Sequence, residues 1–332
     1  MTSSDTRAKS IQEWLQNSLN LTINDFQPAS SDASFRRYFR ATHPNGSFIV
    51  MDAPPALEDV KPFIKVATLM EKSHVNVPKI HHQNIEDGFL VLDDFGSQNL
   101  LDALNAESVN AFYQTALNEL LKLQTNTCTQ SSDLPPYDAA MLKREIELFY
   151  EWFAGKLLNK QIPDDIQSAL NAFLIESALE QPKVCVHRDF HSRNLMVCDD
   201  NALGVIDFQD AVIGAVTYDV VSLLRDCYIA WSQAQLDEWL ENYFQRLTDA
   251  GLIDCSLTQF HRWFDLMGLQ RHLKAIGIFA RLKLRDGKSG YLKDIPRTMN
   301  YVMQVCEKYP ELRAFQAYLQ AEILPIYQEK CV

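Results

Sequence analysis

Cys-x-x-Cys pairs are missing from this sequence, and its seven cysteines (128, 185, 198, 227, 255, 306, 331) are odd in number and scattered. That argues against a disulfide framework and against a thiolate zinc site, and it fits incidental thiols in a reducing cytoplasm. No apolar run approaches the roughly 20 residues of a membrane helix. The opening MTSSDTRAKSIQEWLQNSLN lacks the apolar centre of a signal peptide and reads as an amphipathic helix, so a cytoplasmic location is expected. Repeats and low-complexity tracts are also missing. A net charge of −12 speaks against general nucleic-acid binding, and nothing points to a membrane or to an obligate protein partner. What is present is ordinary globular composition, 47% hydrophobic and 22% charged, in a chain of 332 residues that can bury sizeable cores.

The pattern changes along the chain. FRRYFRAT, HPNG and SFIVMDAPP read as a hairpin turning at Asn45-Gly46. DVKPFIKVATLMEKSH (59–74) has helical spacing, and VNVPKIHHQNIEDGFLVLDDFG reads as strand, turn, strand. Residues 98–126 are helical with an apolar stripe, and SSDLPPYD (131–138) is a loop. Beyond about 138, long helices dominate, interrupted by the short strands PKVCVH, NLMVC and LGVIDF. An α+β architecture is predicted, with a small strand-rich lobe over 1–96 and a larger, mainly helical lobe over 97–332. A cleft between lobes is a common place for a ligand.

The polar knot CVHRDFHSRN (185–194) follows an apolar strand, and VIDFQD (205–210) follows another. His187 and His191 stand at i, i+4, but they lack the Glu of a zinc helix and no third ligand stands out. Phosphoryl transfer accounts for more of the residues. It needs a carboxylate to orient the acceptor hydroxyl and hard oxygen ligands for a metal that neutralises a triphosphate. In His-x-Asp-x-x-x-x-Asn, Asp189 takes the first role. Asn194 and, at the end of the next strand, Asp207 take the second, with Asp210 as an auxiliary carboxylate. LDDFG (92–96) carries similar letters but lies upstream of this loop, where Asp94 and Phe95 suit a hinge whose backbone binds an adenine.

These stretches resemble the aminoglycoside-phosphotransferase-type small-molecule kinases. HRDFHSRNLMV is similar to their catalytic loop and IDFQDAVIGAVTYDV to their metal strand and following turn. SDASFRRYFR, IVMDAPP and LQRHLKAIGIFARLKLRDGKSGYLKDIPR look most like the bacterial anomeric kinases for N-acetylmuramate and N-acetylglucosamine of cell-wall recycling. The resemblance implies a protein-kinase-like two-lobed fold, ATP and Mg2+ as cofactors, and a sugar 1-phosphate as product. It also implies that His187 and Asp219 brace the catalytic loop, with Arg188 contacting an acid such as Asp219. Two departures stand out. The third strand has Met51 or Asp52 where kinases carry a Lys, and the helix after it has Phe63 to Val66 near the expected Glu, with Glu71 two turns later. Losing both halves of an ion pair together strands no charge. The triphosphate then needs other partners, and PASSDASFRR offers Ser31, Ser34, Arg36 and Arg37. An exposed turn with two surface arginines is the plainer alternative.

Charge bears on the acceptor. Residues 261–297 hold nine Lys or Arg and three Asp, a net +6 that leaves the rest of the chain at −18. A solvated helix face is one reading of that segment. An anion-binding site is the other, and it would suit the lactyl carboxylate of N-acetylmuramate better than a polycationic aminoglycoside. Arg193, Arg271, His272 and Arg281 are the expected acceptor residues; Arg271 and Arg281, ten apart, could share a helical face, while Leu273, Ile276 and Phe279 pack the core. The competing readings are a kinase of the same fold for another alcohol (aminoglycoside, choline, homoserine) and a nucleotide-binding pseudokinase.

Overall fold

In RYFRATH, Phe39 and Ala41 are buried and their neighbours are not, and that period of two builds a strand with one face to the core. The computed structural model describes residues 5–31, 35–130 and 132–331, without the side chains of 30, 31, 200, 330 and 331. The strands are β1 (Asp25–Ser31), β2 (Arg37–His43), β3 (Gly46–Asp52), β4 (Ile80–Asn84), β5 (Phe89–Asp93), β6 (Lys183–Val186), β7 (Leu195–Val197), β8 (Leu203–Val205) and β9 (Val212–Ala215). The first five form an antiparallel sheet in the order β1-β2-β3-β5-β4. Ile11 and Leu15, from the helix that starts at Thr6, pack on its buried face against Phe39, Val50, Phe89 and Val91. The β2–β3 hairpin, the β4–β5 pair and a helix at Lys61–Lys72 lie where the sequence predicts them. β1 was not expected, because Pro28 interrupts it; it survives as an edge strand with a register break between Pro28 and Ser30.

The chain falls into two compact units, Met1–Ala103 with Asn194–Asp210, and Leu104–Arg193 with Ala211–Val332. The β7–β8 hairpin belongs to the first. Its Val205 amide donates to the Asn76 carbonyl at 2.7 Å, and its Val197 amide to the Gln98 carbonyl at 2.9 Å. The Phe95 ring lies so close to Gly204 that a Cβ there would come within 2.2 Å of it, which only glycine avoids. Phe63 meets Phe208 at 4.8 Å on the other side of the metal motif.

The second unit is built around the 30-residue helix Leu257–Asp286, which packs against helices Ala139–Leu148, Asp164–Glu180, Tyr218–Leu224 and Ile295–Lys308. Leu273, Ile276 and Phe279 are buried in this core, as predicted. So, less expectedly, are Arg271, His272 and Lys274. The short strand β6 pairs antiparallel with β9 and ends just before His187 and Asp189. No helix among the described residues is long and apolar enough to cross a membrane.

Candidate active site

Val184, Cys185 and Val186 bury β6, and the chain leaves it through a backbone that two carboxylates hold. The amides of His187 and Arg188 donate to Asp219 at 2.7 and 3.0 Å. Arg188 has φ of +79°, a strained conformation for a residue with a side chain, and the double bond to Asp219 fixes it. Past Asp189, the Ser192 amide and hydroxyl donate to buried Asp226 at 2.9 and 2.6 Å. Asp189 therefore sits between two clamps, and its own amide donates to His187 Nδ1 at 3.2 Å. His187 and Asp219 brace this loop. The Arg188 guanidinium turns to Glu145, and the Arg188 amide donates to Asp219.

Asp189 faces a cavity of about 100 Å3 lined by His191, Tyr218, Cys227, Tyr228, Arg271, Lys274, Ala275, Ile278 and Phe279. Burial would raise the Asp189 pKa, but the charges of Lys274 and Arg271 outweigh it and lower the pKa from the ordinary value. Burial drives the His191 pKa down, which favours the neutral ring. Lys274 makes an ion pair with Glu145 at 3.0 Å and donates to the Tyr218 hydroxyl at 3.1 Å. Arg271 has only Cys227 Sγ, at 3.9 Å, and its Nε has no partner.

The other acceptor candidates sort differently. Arg193 stacks its guanidinium on the Tyr228 ring at 3.7 Å, next to the cavity wall. His272 is placed away from the cavity: it is buried, Nε2 lies 2.9 Å from the Arg225 carbonyl, its ring stacks on Tyr301, and burial pushes its pKa down to about 3. Arg281 is also outside the lining, half-buried, because ten residues at about 100° each end some 80° short of three full turns.

In the first unit the metal candidates converge. Asn194 Nδ2 donates to Asp207 Oδ2 at 3.3 Å, and the Ile206 amide donates to the Asn194 carbonyl at 3.0 Å. Asp207 has φ of +65°, and Gln209 Nε2 donates to its Oδ1 at 2.9 Å. The two side chains offer hard oxygens of the kind Mg2+ takes. Among the described residues no three His, Cys, Asp or Glu converge into a cage, so ligand oxygens would complete a shell.

The phosphate-loop candidates are less uniform. Ser34 and the Ser31 side chain lie outside the described residues. Arg36 is half-buried just before β2. Arg37, expected at a phosphate, is instead taken up by Asp5 and by buried Asp52, which also accepts from Arg7 Nε at 2.7 Å. Asp52, one of the two residues at which the usual strand Lys is expected, thus gathers two arginines. Asp94 is likewise committed: it accepts from Arg40 at 2.6 and 2.9 Å, from Ser47 Oγ at 2.6 Å and from the Gly96 amide at 2.9 Å. Phe95 packs on Gly204.

Comparison with known proteins decides the family. The model of the phosphotransferase enzyme family matches residues 25–254. The chain belongs to this family. Curated proteins named N-acetylmuramate/N-acetylglucosamine kinase are similar to this phosphotransferase over most of its length. The one from Pseudomonas putida is 44% identical over 322 residues, 93% of this chain and 94% of the relative. Those from Pseudomonas aeruginosa and Neisseria meningitidis are 42% and 41% identical, each over 93% of this chain and 95% and 94% of the relative. Among solved structures, a choline kinase from Streptococcus pneumoniae has TM-score 0.63 at 14% identity, covering 89% of this chain and 99% of its own. An ADP-bound aminoglycoside phosphotransferase has TM-score 0.61 at 16% identity, covering 89% and 98%. These likenesses carry the fold, a protein-kinase-like α+β phosphotransferase fold, as expected.

Ile278 and Asp226 of this phosphotransferase escaped sequence reasoning, whereas Lys274 was visible as part of the basic segment. Ile278 follows Arg271 and Lys274 at i+7 and i+4, a helical period that would have selected it. Asp226 gives no such signal, since its partner Ser192 is 34 residues away.

Proposed function

We propose that this phosphotransferase is an ATP- and Mg2+-dependent kinase that phosphorylates the anomeric hydroxyl of N-acetylmuramate and N-acetylglucosamine, serving peptidoglycan recycling in the cytoplasm. The observation that carries the reading is the near-full-length identity of 41–44% to curated kinases of that name. In this reading residues 1–96 form the nucleotide lobe and 97–332 the catalytic and acceptor lobe. Asn194 and Asp207 would hold Mg2+, which supplies charge neutralisation on the phosphates. Arg36 and the loop of Ser31 and Ser34 would meet those phosphates, while Arg37 fastens the base of that loop to Asp52. The backbone at Asp94 and Phe95 would meet the adenine.

Asp189 accepts a hydrogen bond from the anomeric O–H and aims the oxygen at the γ-phosphorus. The new O–P bond forms as the bond to the ADP oxygen breaks, and the hydroxyl proton leaves towards Asp189. A carboxylate held this acidic orients more than it deprotonates, which suffices for a loose transition state. The cationic Arg271 in the cavity disfavours a choline- or aminoglycoside-like cation. The missing strand Lys favours a nucleotide-binding module without activity, against which stand the clamped Asp189 and the joined Asn194 and Asp207.

The test is turnover of both sugars with ATP and Mg2+, reading the phosphorus-coupled anomeric proton by NMR. A sugar 1-phosphate is expected, with Asp189→Asn slower by roughly 100- to 10,000-fold and nucleotide binding retained. Phosphate on any other hydroxyl, or full activity in Asp189→Asn, would sink the reading.

A further inference from the structure

The acceptor cavity contains two cations on one helix, three residues apart, and they are in different states. Lys274 is ion-paired within the protein, with Glu145 at 3.0 Å, a carboxylate it shares with Arg188. Arg271 is just as deeply buried, at 5% exposure, yet makes no ion pair among the described residues. Its Nη1 reaches only the Cys227 sulfur at 3.9 Å, and its Nε has no acceptor. Around it stand Asp189, which must face the acceptor hydroxyl, and the uncharged His191, Tyr218 and Tyr228. A buried guanidinium without an ion pair is costly, and the Asp189 carboxylate in the same cavity relieves it only in part. Burial alone would weaken its charge, but the Asp189 carboxylate favours the protonated form. A planar fork of donors at the wall of a small cavity is a receptor for a carboxylate.

We propose that Arg271 is the specificity-determining residue of the acceptor site: its guanidinium receives the lactyl carboxylate of N-acetylmuramate and so separates that sugar from neutral N-acetylglucosamine. The inference rests on the reading of the protein as an amino-sugar kinase. Asp189 and Arg271 then hold opposite features of one substrate, the reacting hydroxyl and the acid side arm. Lys274, already paired, serves every acceptor alike.

The experiment compares kcat/KM for N-acetylmuramate, its lactyl methyl ester and N-acetylglucosamine in wild type, Arg271→Met, Arg271→Lys and Lys274→Met, with melting and ATP binding as checks of folding. Wild type should prefer the free acid to its ester. Arg271→Met should lose on the order of 30-fold on the acid, the scale of a charge-assisted pair, and far less on the ester and on N-acetylglucosamine. Arg271→Lys, with charge but no fork, should fall between, and Lys274→Met should lower all three substrates together. Equal losses on all three in Arg271→Met would overturn the proposal, since Arg271 would then touch a group common to both sugars. Should that variant not fold, equal wild-type rates on acid and ester overturn it just as well. If wild type phosphorylates neither sugar, the proposed function itself falls, and this inference with it. Turnover of both sugars without discrimination by Arg271 removes this inference alone.

Discussion

Asp189 and Asp219, thirty residues apart, are buried to opposite ends. Lys274 and Arg271 overcome burial at Asp189 and lower its pKa. At Asp219 burial prevails over the His187 charge and the two amides it accepts, and the carboxyl rises from 3.8 to about 6. Between those values the folded chain holds a proton that the unfolded chain has released, so stability falls as pH rises through that window, by on the order of 3 kcal/mol. The urea midpoint of wild type should therefore drop relative to Asp219→Asn between about pH 4 and 6, then run parallel above. A gap that stays constant would mean that Asp219 is ionised throughout. The letters His-x-Asp-x-x-x-x-Asn pointed to Asp189 because that motif is a matter of local spacing. They could not reveal Lys274 or Asp226, whose roles come from helices that reach the loop only in the folded chain.

Helix Leu257–Asp286 turned a charge count into two different things. Arg271 and Lys274 are buried beside the cavity, whereas Lys283, Arg285 and Lys288 at its end are exposed. Neither the solvated face nor the anion site accounts for the +6 segment alone; the segment divides between them. What places the helix so deep is Gly277, where a Cβ would lie 2.4 Å from the Leu148 carbonyl carbon and 2.6 Å from the Phe149 nitrogen. Those are backbone atoms and cannot rotate aside. Gly277→Ala should lower stability by roughly 1–3 kcal/mol through overpacking, outweighing the helix-propensity gain of up to about 1 kcal/mol. Thermal melts would detect it, and an unchanged or raised Tm would mean that the two helices can separate at no penalty.

Across the whole molecule, the chain passes from one unit to the other between Arg193 and Asn194 and returns after Asp210. The base candidate belongs to one unit and the metal candidates to the other, and the metal candidates are open to a ligand measurement. ATP at about 100 times its Kd should stabilise the protein by roughly 2.7 kcal/mol when Mg2+ is present. With EDTA, or in Asp207→Ala, most of that gain should vanish from the melting curve. An ATP-induced shift that is the same with and without Mg2+ would remove Asn194 and Asp207 from the metal site.

By itself the sequence determined the strands β2 to β8, the candidate catalytic and metal motifs and the family they resemble, because alternation, turn residues and short spacings act within a few residues of one another. Only the tertiary structure decided which charges are already spent. Arg37 is held by Asp5 and Asp52, Asp94 by Arg40 and Ser47, and Lys274 by Glu145, all partners 15 or more residues distant. Arg271, of the same residue type as Arg37, is buried with no such partner. Burial without a counter-ion depends on what the rest of the chain brings to a point in space, and no local pattern records that.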